Sequence, residues 1–169
     1  MSGEMISKEQ LNTIFEAARW APSTYNEQEW RFLYAWRNTP AFEQFLGLLM
    51  SANQSWCKSA SILIVTVSHK IFQRNSKPNP VHSLDTGMAV QNLLLQTSEM
   101  GLVGHGMAGF DAERARSELK VPDDFQVECM IALGRPGLLE DLSKEQQKME
   151  RPSDRNPISA FTFEGAFPN

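Results

Sequence analysis

Between Ala21 and Phe32 the chain reads APSTYNEQEWRF, which sets Ser23, Thr24, Asn26 and Gln28 close together. Hydroxyls and carboxamides donate and accept without carrying charge, so such a stretch either caps turns or holds the polar edge of a heterocycle. By itself, turn capping is the plainer reading. A second segment, Gly104-His105-Gly106-Met107-Ala108-Gly109, matches GxGxxG. That fingerprint binds a pyrophosphate only where a strand enters the glycines and a helix starts within them. Here a long helix precedes the glycines and the next helix begins after Gly109, which argues against a Rossmann site. Two uses remain for the glycines: a positive-φ turn after the helix, or close backbone approach to a planar ligand. His69, His82 and His105 share no ligand spacing with each other or with Cys57 and Cys129, so no metal site is expected. The two cysteines form neither a CxxC pair nor a disulfide framework and read as buried small hydrophobes.

The elements that must position these residues follow from periodicity. Ser7 and Gln10 form a capping box, and Leu11, Ile14, Phe15 and Ala18 recur at helical spacing until Pro22, giving a helix over about Lys8 to Trp20. Arg31 to Trp36 is short and aromatic, as a strand would be. Thr39-Pro40 then opens a helix bearing Phe42, Phe45, Leu46 and Leu49. Ser61 to Val67 is a β-branched run without polar alternation, suited to a central strand covered on both faces. From His69 to Ser83 the polar and proline-rich composition predicts an exposed loop, a place for mobility and substrate access. Leu84 to Met100 is a long helix whose apolar residues spread round its circumference, so burial, including at a subunit interface, is expected. A short strand at Leu102 to Ala108, a helix capped by Asp111 and a covered strand at Val127 to Leu133 follow. After Gly137 come a charged helix near Ser143 to Glu150 and a tail containing Ile158, Phe161, Phe163 and Phe167, a candidate for docking on a partner subunit.

With 169 residues, 41% of them hydrophobic, the chain can bury one sizeable core, and a single domain over 1–169 is expected. A net charge of -4 disfavours a nucleic-acid partner. No run is long and apolar enough for a membrane helix, and Met1 to Lys8 lacks a signal pattern, so a cytoplasmic protein is expected.

Taken together, the motifs resemble the nitroreductase family. APSTYNEQEWRF is similar to its A-P-S-x-x-N-x-Q-P-W-x-F segment, and Asn53-Gln54-Ser55-Trp56 to its Asn-containing helix end. Asp85 to Gln96, with Met100-Gly101-Leu102, resembles its central helix, and Met107 to Asp111 its flavin-facing turn. Ile131 to Pro136 and Arg155-Asn156-Pro157-Ile158 complete the series. The resemblance implies an α+β fold, a three-layer α/β/α sandwich forming a homodimer, with residues 138–169 as a C-terminal extension packing on the partner. It implies FMN as cofactor, NAD(P)H as electron donor, and ping-pong hydride transfer to a small planar acceptor such as a nitroaromatic or quinone. By position, Pro22, Ser23, Thr24, Asn26 and Gln91 would contact FMN from one subunit, and Asn53, Met107, Ala108, Gly109 and Arg155 from the other. The flavin carries the redox chemistry, so no catalytic acid or base is called for.

Several positions depart from the family. An Arg-Arg-Ser-x-Arg segment that helps hold the FMN phosphate usually accompanies the first helix, whereas Met1 to Ser7 contains no arginine. Ser153 stands where many relatives have Arg or Lys, and Glu29 replaces the proline of Q-P-W. Each missing charge-assisted hydrogen bond removes about 1.5–3 kcal/mol, so weak FMN binding is expected. The same departures open a second reading: a catalytically silent dimer serving as a binding or structural subunit.

Overall fold

The computed structural model describes residues 1–168, which fall into two compact units, Met1–Gly137 and the residues from Leu138 onward. The first unit runs α1 (Lys8–Arg19), β1 (Trp30–Trp36), α2 (Pro40–Leu48), α3 (Ser51–Cys57), β2 (Ile62–His69), α4 (His82–Glu99), β3 (Val103–Met107), α5 (Ala112–Glu118) and β4 (Phe125–Gly134). The helix starts follow their caps. Ser7 and Gln10 make both arms of the capping box at α1, while Thr39 and Asp111 accept from Phe42 and Arg114 at α2 and α5.

The four strands pair in the order β1-β2-β4-β3, every pair antiparallel. β2 is central, as its uniform apolar run predicted, and the run reflects two covered faces. Ile62 and Ile64 pack with Leu11, Ile14 and Ala18 of α1 and Ala89 and Leu93 of α4. Leu63, Val65 and Val67 face Phe42, Phe45 and Leu48 of α2, Cys57 of α3 and Ala115 of α5. Helices thus cover both faces of the sheet. A register shift between Thr66 and Val67 leaves Glu128 unpaired, as in a bulge, and its carboxylate accepts from Ser68 and Ser83.

Three sequence expectations change. The glycines of Gly104–Gly109 lie in and after an edge strand, and none has positive φ; Gly101, at +67°, makes the helix exit instead. Gly104 is a packing position, because an added Cβ would lie 2.8 Å from Leu94 Cδ2 and 3.3 Å from both Leu133 and Thr97. The β2–α4 connection is exposed over 73–78 and at Pro80, but Phe72 and Asn79 are buried, and Asn79 N–H bonds the Lys70 carbonyl at 2.7 Å. Finally, α4 buries one stripe, which includes the polar Asp85, Thr86 and Thr97, and leaves Leu84 and Leu95 exposed.

In the second unit, Ser143 caps a short helix, α6 (Lys144–Met149), and the rest is extended apart from single turns at Leu139–Asp141 and Ile158–Ala160. None of its described residues is buried, and Ile158, Phe161, Phe163 and Phe167 are exposed. Among the described residues no helix is long and apolar enough to cross a membrane, and no cluster of His, Cys, Asp or Glu could hold a metal ion.

Candidate cofactor site

Pro22, Ser23, Thr24 and Asn26 share the connection from α1 to β1. Tyr25, Asn26 and Gln28 all have positive φ, at 58°, 58° and 51°, so the backbone is coiled tightly. For non-glycine residues such a conformation is held by its surroundings. Ser23 Oγ accepts from Gln28 N–H at 3.0 Å, and the Ser23 carbonyl accepts from Asn26 N–H at 2.9 Å. The Thr24 N–H donates at 2.7 Å to Asp85 Oδ2, fastening the loop to the first turn of α4. The Thr24 hydroxyl and the Asn26 carboxamide have no hydrogen-bonding partner among the described residues. Tyr25 is exposed and lies under the Arg74 guanidinium, 3.5 Å from the ring centre.

Behind this loop is a polar cluster that motif reading did not assemble. Glu29 is fully buried and accepts from Asn79 Nδ2 at 2.7 Å. Burial, followed by the adjacent Asp85, pushes its carboxyl above the usual range. The only sequence signals were Glu29 in place of a proline and Asp85 on the apolar stripe of α4.

Asn53, Met107, Ala108 and Gly109 assemble elsewhere. Asn53 sits in the first turn of α3, at its N-terminal end, and its Nδ2 donates to the Gly109 carbonyl at 3.0 Å. Met50 N–H bonds the same carbonyl at 3.0 Å, and Asp111 N–H bonds Leu48 O at 2.9 Å, tying the turn after β3 to the α2–α3 junction. Gly109 has no side chain because Asn53 fills the space: an added Cβ would lie 2.7 Å from Nδ2. Met107 is buried with its sulfur 3.5 Å from Cys57, while Ala108 is exposed. Burial pushes the Cys57 thiol up to about 12, so it is no nucleophile.

The register shows how these groups relate. Trp30 aligns with Ser68 and Ser68 with Gln126, while Met107 aligns with Met130. Both groups therefore lie toward the beginning of β4, at opposite edges of the sheet, about 14 Å apart by strand spacing. They also stand on opposite faces, the first against α4 and the second against α3. One chain does not bring them together. Gln91 is on the exposed side of α4, away from Asp85, and Arg155 lies in the second unit, where its Nη1 bonds Ser153 and Asp154. In the first unit, Arg19 at the end of α1 is bonded to Glu16 at 2.6 Å.

A mixed α/β unit with a four-stranded antiparallel sheet and two separated groups of uncharged hydrogen-bonding residues defines a class of sandwich fold found in known flavoproteins. A crystal structure of an oxidoreductase containing FMN superposes with a TM-score of 0.94 at 38% identity, covering 99% of this chain and 86% of that one. A putative nitroreductase in complex with FMN from Desulfovibrio desulfuricans gives a TM-score of 0.74 at 25% identity, with 98% and 88% covered. An oxygen-insensitive NADPH nitroreductase of Helicobacter acinonychis is 26% identical over 184 residues, spanning 88% of this chain and 84% of the relative. A model of the nitroreductase family matches residues 2–55 and 37–135, and the chain belongs to that family.

Proposed function

We propose that the protein is an FMN-dependent NAD(P)H oxidoreductase that reduces a small planar acceptor, a nitroaromatic or quinone, as a homodimer. The observation that carries this reading is the separation of the two residue groups. They occupy opposite edges and faces of one sheet, so a single ligand touching both must lie between two copies of the chain. Solved relatives bind FMN, and the donor set suits it: the Thr24 hydroxyl and Asn26 carboxamide are available to a flavin's polar edge, with Ser23 engaged in holding the loop. From the other copy, Asn53 fixes the Met107–Gly109 turn, presenting exposed Ala108 as an uncharged surface. Arg155 is the cation for the phosphate, and the exposed aromatic tail that carries it is suited to covering apolar surface on the partner. Held there, FMN would supply the redox chemistry between NAD(P)H and the acceptor. The chain's own task is to orient and desolvate the ring.

Purified protein titrated with FMN, followed by its flavin spectrum and by bleaching with NAD(P)H, tests the reading. Binding with bleaching and reoxidation by a quinone is the expected result. No binding at high FMN concentration overturns it, and binding without bleaching favours the catalytically silent dimer. Sedimentation tests the homodimer separately.

A further inference from the structure

The cofactor loop is fastened to α4 through the Asp85 side chain. Thr24 N–H donates to Asp85 Oδ2, and Asp85 is 2% exposed, so this carboxyl sits between the loop and the α4 first turn. Glu29, at 0% exposed, adjoins Asp85, and burial together with this neighbour raises its carboxyl. One oxygen of Glu29 accepts from Asn79, whose Oδ1 accepts in turn from Val81 N–H just before α4. The other oxygen, Oε2, receives no N–H or hydroxyl donor. Two adjoining buried carboxyls satisfy each other when one holds a proton and donates it to the other, and repel when both are ionised.

The remaining charged groups on the packed elements are otherwise engaged. His69 on β2 pairs with Asp124, and His82 on α4 faces Glu128. Glu27 accepts from Gln73 N–H, and Arg31 donates to the carbonyls of Gln28 and Trp30. Among the described residues, Asp85 is the charged group that acts on Glu29.

We propose that Glu29 is a positioning residue for the cofactor loop: its protonated carboxyl donates to Asp85, and Asp85 so held keeps the Thr24 N–H and the Ser23–Asn26 backbone in place. The proposal rests on the reading of this loop as a flavin-contact segment, but the lock itself belongs to the protein without cofactor. The direction of Glu29's shift fixes the pH behaviour. Raised in the fold above its unfolded value, the group contributes stability that is complete below the unfolded range and is lost as pH rises through the folded value. Rising pH therefore loosens the loop.

The test uses full-length 13C,15N-labelled protein without FMN, with a parallel FMN titration. In the wild type, the Glu29 carboxyl carbon reports a neutral group below its transition, and the Thr24 amide shift moves with it as pH rises. Unfolding resistance falls over the same range, and FMN dissociation rises about tenfold. In Glu29→Gln, which keeps an uncharged donor toward Asp85, the Thr24 shift and FMN affinity follow no such transition. Glu29→Leu, which removes the donor, shows the loosened Thr24 signal at every pH where it folds. A Glu29 carboxyl titrating in the ordinary range, or a Thr24 transition persisting unchanged in Glu29→Gln, overturns the proposal. If neither protein binds FMN, the functional reading fails, while the Glu29 and Thr24 titrations still decide the lock.

Discussion

Gly109→Ala separates packing from backbone freedom at the turn after β3. Gly109 lies outside the left-handed region, so alanine fits the backbone and should stabilise by about 0.4–1 kcal/mol through the unfolded chain. Against this, the new Cβ would stand 2.7 Å from Asn53 Nδ2, while its next neighbours, Asn53 Cγ and Met50 Sδ at 3.8 Å, are ordinary contacts. Only the end of a flexible side chain must move, so Asn53 swings out and its bond to the Gly109 carbonyl is lost, a change of about 0.5–1.5 kcal/mol. The carbonyl keeps its Met50 N–H, and no orphaned acceptor adds to the loss. The two effects nearly cancel in the wild-type background, and the informative quantity is their difference. In Asn53→Ala, the clash is gone and Gly109→Ala should stabilise, giving a coupling of about 1 kcal/mol across the cycle. Urea unfolding of the wild type, both single variants and the double variant measures it. Equal effects of Gly109→Ala in both backgrounds would refute Asn53 as the reason for the glycine.

Arg155→Ala should raise the FMN dissociation constant roughly tenfold to a hundredfold by removing a charge-assisted bond, as read by flavin fluorescence. Its unfolding midpoint should not move, since the guanidinium bonds only its own tail. Native protein at pH 8 should resist iodoacetamide at Cys57, which is completely buried and raised to about 12, and become labelled only on unfolding, by mass spectrometry. Ile131→Ala, at a fully buried site on β4, should lower stability by about 2–5 kcal/mol in denaturant melts.

Much of the architecture was legible because its causes are local. The Ser7–Gln10 box, Thr39-Pro40 and Asp111 mark helix starts through bonds to nearby residues, and the run Ile62–Val67 marks a strand covered twice. The Asn53 and Gly109 assignments rest on motif resemblance, and the structure supplies a reason for their company that spacing lacked: 56 positions separate them, yet they share a hydrogen bond. The positive-φ reading of Gly104 and Gly109 failed because a glycine can answer either to backbone conformation or to a neighbour's side chain, and sequence does not distinguish the two.

The segment APSTYNEQEWRF shows the division most clearly. Residue types alone pointed to a loop dense in short hydrogen-bonding side chains between a helix and a strand. Which groups remain available to a ligand, and which serve the loop, was decided by the folded backbone: Ser23 is spent within the loop on Gln28, and Thr24 N–H on the distant Asp85, while Asn26 keeps its carboxamide. Glu29 could be seen as an odd residue in the sequence, but its meeting with Asp85 and Asn79 required the fold. Local caps and periodicity are written in neighbouring residues; the environment of a buried carboxyl is made by elements that meet only when the chain collapses.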